Sequence, residues 1–360
     1  MNHHDPQNTG RSAYFGPVQG SIEWTLDANY MQSGISIGKV GDKFYIYLDK
    51  DNKLSSVDYS GNINWQYPTQ DFILSTPLVA NNGSIYFCAG QILYSLSSDG
   101  FLNWSFQTNG NIENMMTIGL DGVIYILDRT ANLSAISSNG ELLWEYFYAN
   151  FNVALGGLTF SPDGNTIYTT GINSDIIAFD VVKKIIDWEY GIGTQYNSPM
   201  VDAKGNVYYL KSEDDNNPGE GVLNCLDESG SLNWKYQFKF PANTGLFFSN
   251  TPTIDKLGNI YFAYDTLFSV DYSGSLRWKQ YLNGYADCPI VSDANSNIYV
   301  GIMSYNNEEN KIAILKYSSD GIRDWEIVLD QNQVGGSPAL TENHKLIFPT
   351  WRSSNIFLIQ

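Results

Sequence analysis

The chain has 360 residues, 43% of them hydrophobic but only 16% charged, with 25 Tyr, 9 Trp and 32 Gly. That mixture suits an all-β protein, because aromatic residues fill strands and glycine supports tight turns. A formal net charge of −18 argues against sequence-independent nucleic-acid binding and against attraction to anionic membranes, since both need clustered Lys and Arg. The first stretch, Met1 to Gly20, is polar and lacks the apolar run of a signal peptide. It reads as an N-terminal extension over 1–19, with no role for His3 or His4. No segment approaches the roughly 18 apolar residues of a membrane-spanning helix, so direct membrane insertion is not expected. Cys88, Cys225 and Cys288 are too scattered for a disulfide framework or a zinc site, and each is expected to pack as a small apolar residue.

From residue 20 onward the chain repeats. Trp24, Trp65, Trp104, Trp144, Trp188, Trp234, Trp278 and Trp325 are spaced by 41, 39, 40, 44, 46, 44 and 47 residues. A period in this range signals a repeat architecture. Seven of the eight have a glycine four residues earlier: Gly20, Gly61, Gly100, Gly140, Gly230, Gly274 and Gly321. Lys184 takes that place before Trp188. The preceding residues, as in Ser98-Asp-Gly100 and Ser138-Asn-Gly140, are those of a tight hairpin. Some 17 to 26 residues upstream of each later Trp lies an apolar-aromatic pair: Phe44-Tyr45, Ile85-Tyr86, Ile124-Tyr125, Ile167-Tyr168, Val207-Tyr208, Ile260-Tyr261 and Ile298-Tyr299. Ile347-Phe348 is an eighth pair with no Trp after it. Five repeats also begin an earlier strand with a proline, at Pro77, Pro199, Pro252, Pro289 and Pro338.

Each unit therefore reads as four short strands, A to D from the inside outward, with the Tyr on B and the Trp on D. The first Trp has no strands A to C before it, while the C-terminus supplies A, B and C but no D. The expected fold is all-β, an eight-bladed propeller of four-stranded antiparallel blades over 20–360. Its last blade is made of 335–360 plus 20–27. Such closure removes the open sheet edges of a linear array.

Segments such as Asp58-Tyr-Ser-Gly-Asn-Ile-Asn-Trp65 and Asp227-Glu-Ser-Gly-Ser-Leu-Asn-Trp234 resemble the tryptophan-docking repeat of the PQQ-like propeller family. The resemblance implies that each Trp packs against a neighbouring blade near the motif glycine, so Trp24 to Trp325 are expected to form a structural girdle. Quinoprotein dehydrogenases of that family use a vicinal Cys pair and a calcium held by Glu, Asn and Asp. This chain has no Cys pair and lacks their long insertions, so no cofactor is expected and PQQ least of all. The resemblance points instead to the noncatalytic members, including lipoprotein scaffolds of outer-membrane barrel assembly, and to a periplasmic or secreted location.

Catalytic signatures are sparse. Outside the tail His344 is the only histidine, in an A-to-B turn, so no Ser or Cys nucleophile has a general base in evidence. Asp49-Lys-Asp51-Asn52 and Ser212-Glu-Asp-Asp-Asn-Asn217 carry calcium-type oxygens without the order of a calcium loop, and solvated loop is the expectation for both. A carboxylate pair acting on polysaccharide stays open, because two acids among 38 need no sequence signature.

In a propeller the D-to-A and B-to-C connections emerge on one face and the A-to-B and C-to-D turns on the other. Here the first set varies in length. Insertions fall at Glu213 to Glu220, Tyr305 to Asn310 and Phe240 to Phe248, in three successive blades. Variable loops on a rigid scaffold are where binding usually sits. The candidate ligand-binding residues on that face are Tyr30, Phe72, Phe151, Asn152, Tyr196, Asn197, Phe247, Phe248, Tyr285, Asp287, Trp351 and Arg352. Aromatic planes with amide and carboxylate groups suit a peptide or a glycan. A noncatalytic binding or scaffolding module is the expected function, with the polysaccharide enzyme as the alternative.

Overall fold

The computed structural model describes residues 5–27, 34–40, 43–49, 52–113, 116–148, 156–171, 174–192, 197–212, 219–240, 251–286, 288–304, 311–329, 336–350 and 355–360. These residues build antiparallel sheets from short strands, and no helix occurs among them. Seven sheets are each complete within one contiguous stretch of chain. Blade 1 runs from Ser36–Val40 to Ile63–Pro68 and blade 2 from Leu78–Val79 to Leu102–Gln107. Blade 3 runs from Met116–Ile118 to Leu142–Phe147 and blade 4 from Thr159–Phe160 to Ile185–Tyr190. Blade 5 runs from Met200–Val201 to Leu232–Lys239 and blade 6 from Thr253–Ile254 to Leu276–Tyr281. Blade 7 has Val291–Ser292 innermost and Arg323–Leu329 outermost.

The remaining sheet is composite. Ala339–Leu340, Leu346–Pro349 and Asn355–Ile359 come from the C-terminus, and Ile22–Asp27 pairs antiparallel with the last of them, Trp24 opposite Leu358. The expectation of an eight-bladed propeller of four-stranded blades therefore needs correction: the blades, each one contiguous stretch of chain, number seven, the composite sheet of the two ends closes the ring between blade 7 and blade 1, and blade 7 is five-stranded. In blade 7 an additional strand, Gly284–Ala286, pairs with Ile298–Ser304 beside Val291–Ser292, because strand B runs long enough to hold two partners end to end.

The core lies between the blades. Each buried apolar cluster draws on two adjacent sheets, as Met200, Tyr208 and Leu223 of blade 5 pack with Ile254, Phe262 and Phe268 of blade 6. The cluster of Ile35 and Val57 with Ala339, Ile347 and Leu358 joins blade 1 to the composite blade in the same way. Strands B and C are buried on both faces, whereas strand D alternates, as in the exposed and half-buried succession of Ile63–Pro68. This explains why only strand D shows a clear period of two in the sequence.

The Trp on strand D spans each of these joints. A β-bulge precedes it, for example where Ser56 pairs with Trp65 but Val57 pairs with Ile63, and turns the indole toward the next blade. There it meets the C-to-D glycine. A Cβ built on Gly100, Gly140, Gly230, Gly274 or Gly321 would come within 2.6–2.7 Å of the facing indole, and these glycines have φ between +81° and +86°. Both facts demand glycine, one for space and one for backbone conformation. The indole N–H then donates to a carbonyl of the same turn, Trp65 to Ser98 at 2.8 Å and Trp278 to Ser319 at 2.8 Å. At the exception, Lys184 itself adopts φ +61° and lays its ammonium over the Trp144 ring at 5.8 Å.

Candidate functional site

Most of the sequence-predicted binding face, namely Tyr30, Phe151, Asn152, Tyr196, Phe247, Phe248, Asp287, Trp351 and Arg352, lies outside the described residues. Three of the predicted residues are described. Phe72, in the connection from blade 1 to blade 2, is 50% exposed. Asn197 is buried at the start of blade 5, where its Nδ2 donates to the Leu210 carbonyl at 3.0 Å. Tyr285 is half-buried on the additional strand of blade 7 and stacks on Tyr264 with centroids 6.5 Å apart. Phe72 thus presents its ring to solvent, while the other two pack their connections onto the blade ends.

The opposite face holds a feature that the sequence did not suggest. Residues 5–20 do not trail away from the ring. They form a strap that crosses the inner ends of four successive blades. Phe160 N donates to the Pro6 carbonyl at 2.8 Å, Val201 N to Gln7 at 2.9 Å, Ile254 N to Thr9 at 3.0 Å and Ser292 N to Gly10 at 2.9 Å. The strap advances one or two residues per blade, so it runs across the inner strands rather than along them. Asn8 and Thr9 are buried, and Asn8 Nδ2 reaches the Pro199 carbonyl at 3.1 Å. Asp5 accepts from the amide and the hydroxyl of Thr9, which folds the start of the strap into a turn. Burial pushes the Asp5 carboxyl above its ordinary range, against the pull of the Thr9 donors and Arg11. The strap then leaves over blade 7: Gly16 N donates to Asp293 at 3.1 Å, and the buried Lys316 ammonium donates to the Pro17 carbonyl at 3.2 Å.

Beside the strap is a cavity of about 960 Å³ at the mouth of the central channel. Its walls are the inner strands of the composite blade and blades 1 and 2, the strap from Arg11 to Tyr14, and the turn at Asp293. A smaller cavity of about 350 Å³ lies between blades 5 and 6 on the same face, lined by Lys204, Cys225 and Tyr272 among others.

The acids near this face are committed to their own turns. Asp202 is buried and accepts from Tyr208 Oη at 2.9 Å, Tyr272 Oη at 2.7 Å and Asn206 Nδ2 at 2.8 Å. Asp255 and Asp293 repeat the arrangement with Asn259 and Tyr261 and with Asn297 and Tyr299. The signal was present as Asp, then Asn four and Tyr six residues later, in three blades. It assigns the strand-B tyrosines a second task, anchoring the A-to-B turn. Their phenols are held far above the ordinary range, first by burial and then by the facing carboxylate at Tyr261 and Tyr299, and by Cys225 ahead of Asp202 at Tyr208. Among the described residues no group of three or more His, Cys, Asp or Glu could hold a metal ion.

A closed ring of antiparallel blades, locked by tryptophans docked on the glycine turns of their neighbours, defines a PQQ-like repeat β-propeller. The family model described as outer membrane protein assembly factor BamB matches residues 10–236, and the chain belongs to that family. Among solved structures it is similar to BamB from Moraxella catarrhalis, at 13% identity and a TM-score of 0.70, over 95% of this chain and 100% of that one. It is equally similar in fold to the computationally designed Ika8 protein, at 10% identity and a TM-score of 0.70, over 95% of this chain and 99% of that one. No curated protein matches the sequence.

Proposed function

We infer that the chain is a noncatalytic scaffold that holds a protein partner outside the cytoplasm, docking it on the face of the D-to-A and B-to-C connections. The observation that carries this reading is the way the axis is used. An enzyme needs an open pocket with convergent, uncommitted titratable groups. Here the chain's own strap covers the inner ends of blades 4 to 7, and Asp202, Asp255 and Asp293 beneath and beside it are spent on Tyr and Asn donors of their own turns. What remains is a rigid ring carrying connections of unequal length, the form in which a scaffold presents a binding surface. The description of the family as an assembly factor agrees with a protein partner.

Site-specific photocrosslinking tests it. A photoreactive phenylalanine at position 72, in the chain expressed in its own cells, should yield a discrete protein adduct. The same probe at position 143, exposed on the outermost strand of blade 3 and away from both faces, should not. Equal adducts at both positions, or hydrolysis of a polysaccharide by the purified chain, would overturn the reading.

A further inference from the structure

The strap uses only half of the channel mouth. Its hydrogen bonds exist because of how strand A ends. Asp202 N donates across the A-to-B turn to Asn206 at 3.0 Å, and antiparallel pairing alternates, so the amide one residue earlier, Val201, points away from strand B into the channel. The same alternation holds where the strap does not reach. Ala80 N donates to Ser84 at 2.9 Å, Gly119 N to Val123 at 2.8 Å and Thr341 N to Lys345 at 3.0 Å. The amides of Val79, Ile118 and Leu340 therefore face the axis as Val201 does, and among the described residues no strap, turn or loop carbonyl accepts from them. Val79 and Leu340 border the 960 Å³ cavity, whose volume lies within the range of ligand pockets, about 300–1,000 Å³.

We propose that this cavity binds an extended peptide segment of a partner protein, laid across the inner strands of the composite blade, blade 1 and blade 2 as residues 6–10 lie across blades 4 to 7. Its main-chain carbonyls take the Leu340 and Val79 amides. Where it crosses the inner strands its side chains are small and polar, because that wall offers Ser36, Gly38, Ala80 and Ala339, while Asp5, Arg11, Lys256 and Asp293 on the strap side give the cavity charge of both signs. The strap that solves the same problem reads Pro6-Gln-Asn-Thr-Gly10. An Asn in the place of Asn8 reaches the Pro338 carbonyl, since Ser337-Pro338 repeats the Ser198-Pro199 step that Asn8 bonds. A helix does not fit this role, because its own ladder consumes the carbonyls that the amides require. This site is on the face opposite the variable connections and stands or falls apart from them.

The probe is a fluorescein-labelled peptide with the sequence of residues 5–12, titrated into the full-length chain and followed by anisotropy. Saturable binding is expected. Ala80→Trp, which fills the cavity, should weaken it at least tenfold. Val79→Pro removes an N–H that is not in the strand ladder and should weaken binding several-fold. Leu257→Trp, on the same face but outside the cavity, should leave it unchanged. Thermal melts of each variant establish that the ring is intact, and Ala80→Trp decides the matter alone if Val79→Pro fails to fold. Absence of saturable binding at millimolar peptide overturns the proposal. So does binding that ignores Ala80→Trp but is lost in Val201→Pro, since that peptide would be replacing the strap.

Discussion

Gly20 lies flat against the indole of Trp325, so close that a Cβ on residue 20 would sit 2.7 Å from the ring. The two residues belong to opposite ends of the sequence, and their contact closes the ring at the joint between blade 7 and the composite blade. Gly20 does not have the positive φ of the other docking glycines, so substitution there tests the contact alone. Gly20→Ala is expected to cost about 1–3 kcal/mol through overpacking. Gly140→Ala, which adds a left-handed backbone at φ +86°, should cost about 2–4 kcal/mol. Urea unfolding of the two variants measures the difference, and equal losses would mean that backbone strain contributes nothing.

Lys184 offers the contrary case. Its replacement by Gly removes the strain of φ +61° but uncovers Trp144, two effects of opposite sign and about 1 kcal/mol or less each. The melting temperature of Lys184→Gly should therefore stay close to that of the parent.

The strap should be as firm as the sheets it crosses. Asn8 is buried, adopts φ +56° and donates to Pro199, so Asn8→Ala loses a buried hydrogen bond and places Ala in a left-handed backbone, costing about 2–4 kcal/mol. Native-state hydrogen exchange gives the finer readout. The amides of Phe160, Val201, Ile254 and Ser292 should be protected in the parent and exchange faster in Asn8→Ala, whereas Val79 and Leu340 should exchange readily in both.

Acid should loosen the C-to-D turns before it reaches the core. Asp227 and Asp271 are held below the ordinary carboxylate range by the hydroxyls of Ser229 and Ser273 and by the amides of Ser231 and Ser275. Because the folded value lies below the unfolded one, their stabilisation is present at neutral pH and is lost as pH falls through the folded value. These turns are exposed, so each contributes only a few tenths of a kcal/mol. Melting temperature should decline below about pH 4, and Asp271→Asn should make that decline shallower.

All three cysteines are buried. Burial pushes the Cys225 thiol up to about 11, against hydrogen bonds from Tyr208 and Asn233 that pull it down, and pushes Cys88 up further. Thiolate is the reactive form, so iodoacetamide at pH 8 should leave the folded chain unmodified and label every cysteine in denaturant. Rapid native alkylation of Cys225 would show that the cavity between blades 5 and 6 opens.

The architecture was legible because its chemistry is local and repeated. A glycine turn, a bulge and a Trp recur in one register, and the unpaired Trp24 with the unfinished C-terminal blade implied the composite sheet. The additional strand of blade 7 was not legible, since it arises from a long strand B that offers one edge to two partners, and nothing in Gly284-Tyr-Ala286 signals pairing. The strap was missed for a different reason. Asp5 to Gly16 is polar and aperiodic, and is held by backbone carbonyls, which every residue possesses. Hydrophobic pattern carries no information about a segment fixed by its main chain. The candidate face was chosen from loop lengths, and of its residues only Phe72, Asn197 and Tyr285 could be placed.

The strap also fixes the handle by which the molecule can be held. Because the chain is secured to the inner strands from Pro6 onward, a tether joined ahead of residue 5 leaves close to the axis, on the A-to-B turn side, and not from the rim. A ring immobilised by that end stands like a wheel on its hub, with the variable connections turned toward solution. One immobilised by Gln360, whose amide pairs with Ser21 at the C-to-D end of the composite blade, is held from the same face but off the axis, toward the rim. Surface-binding measurements on this protein should therefore depend on which end is attached.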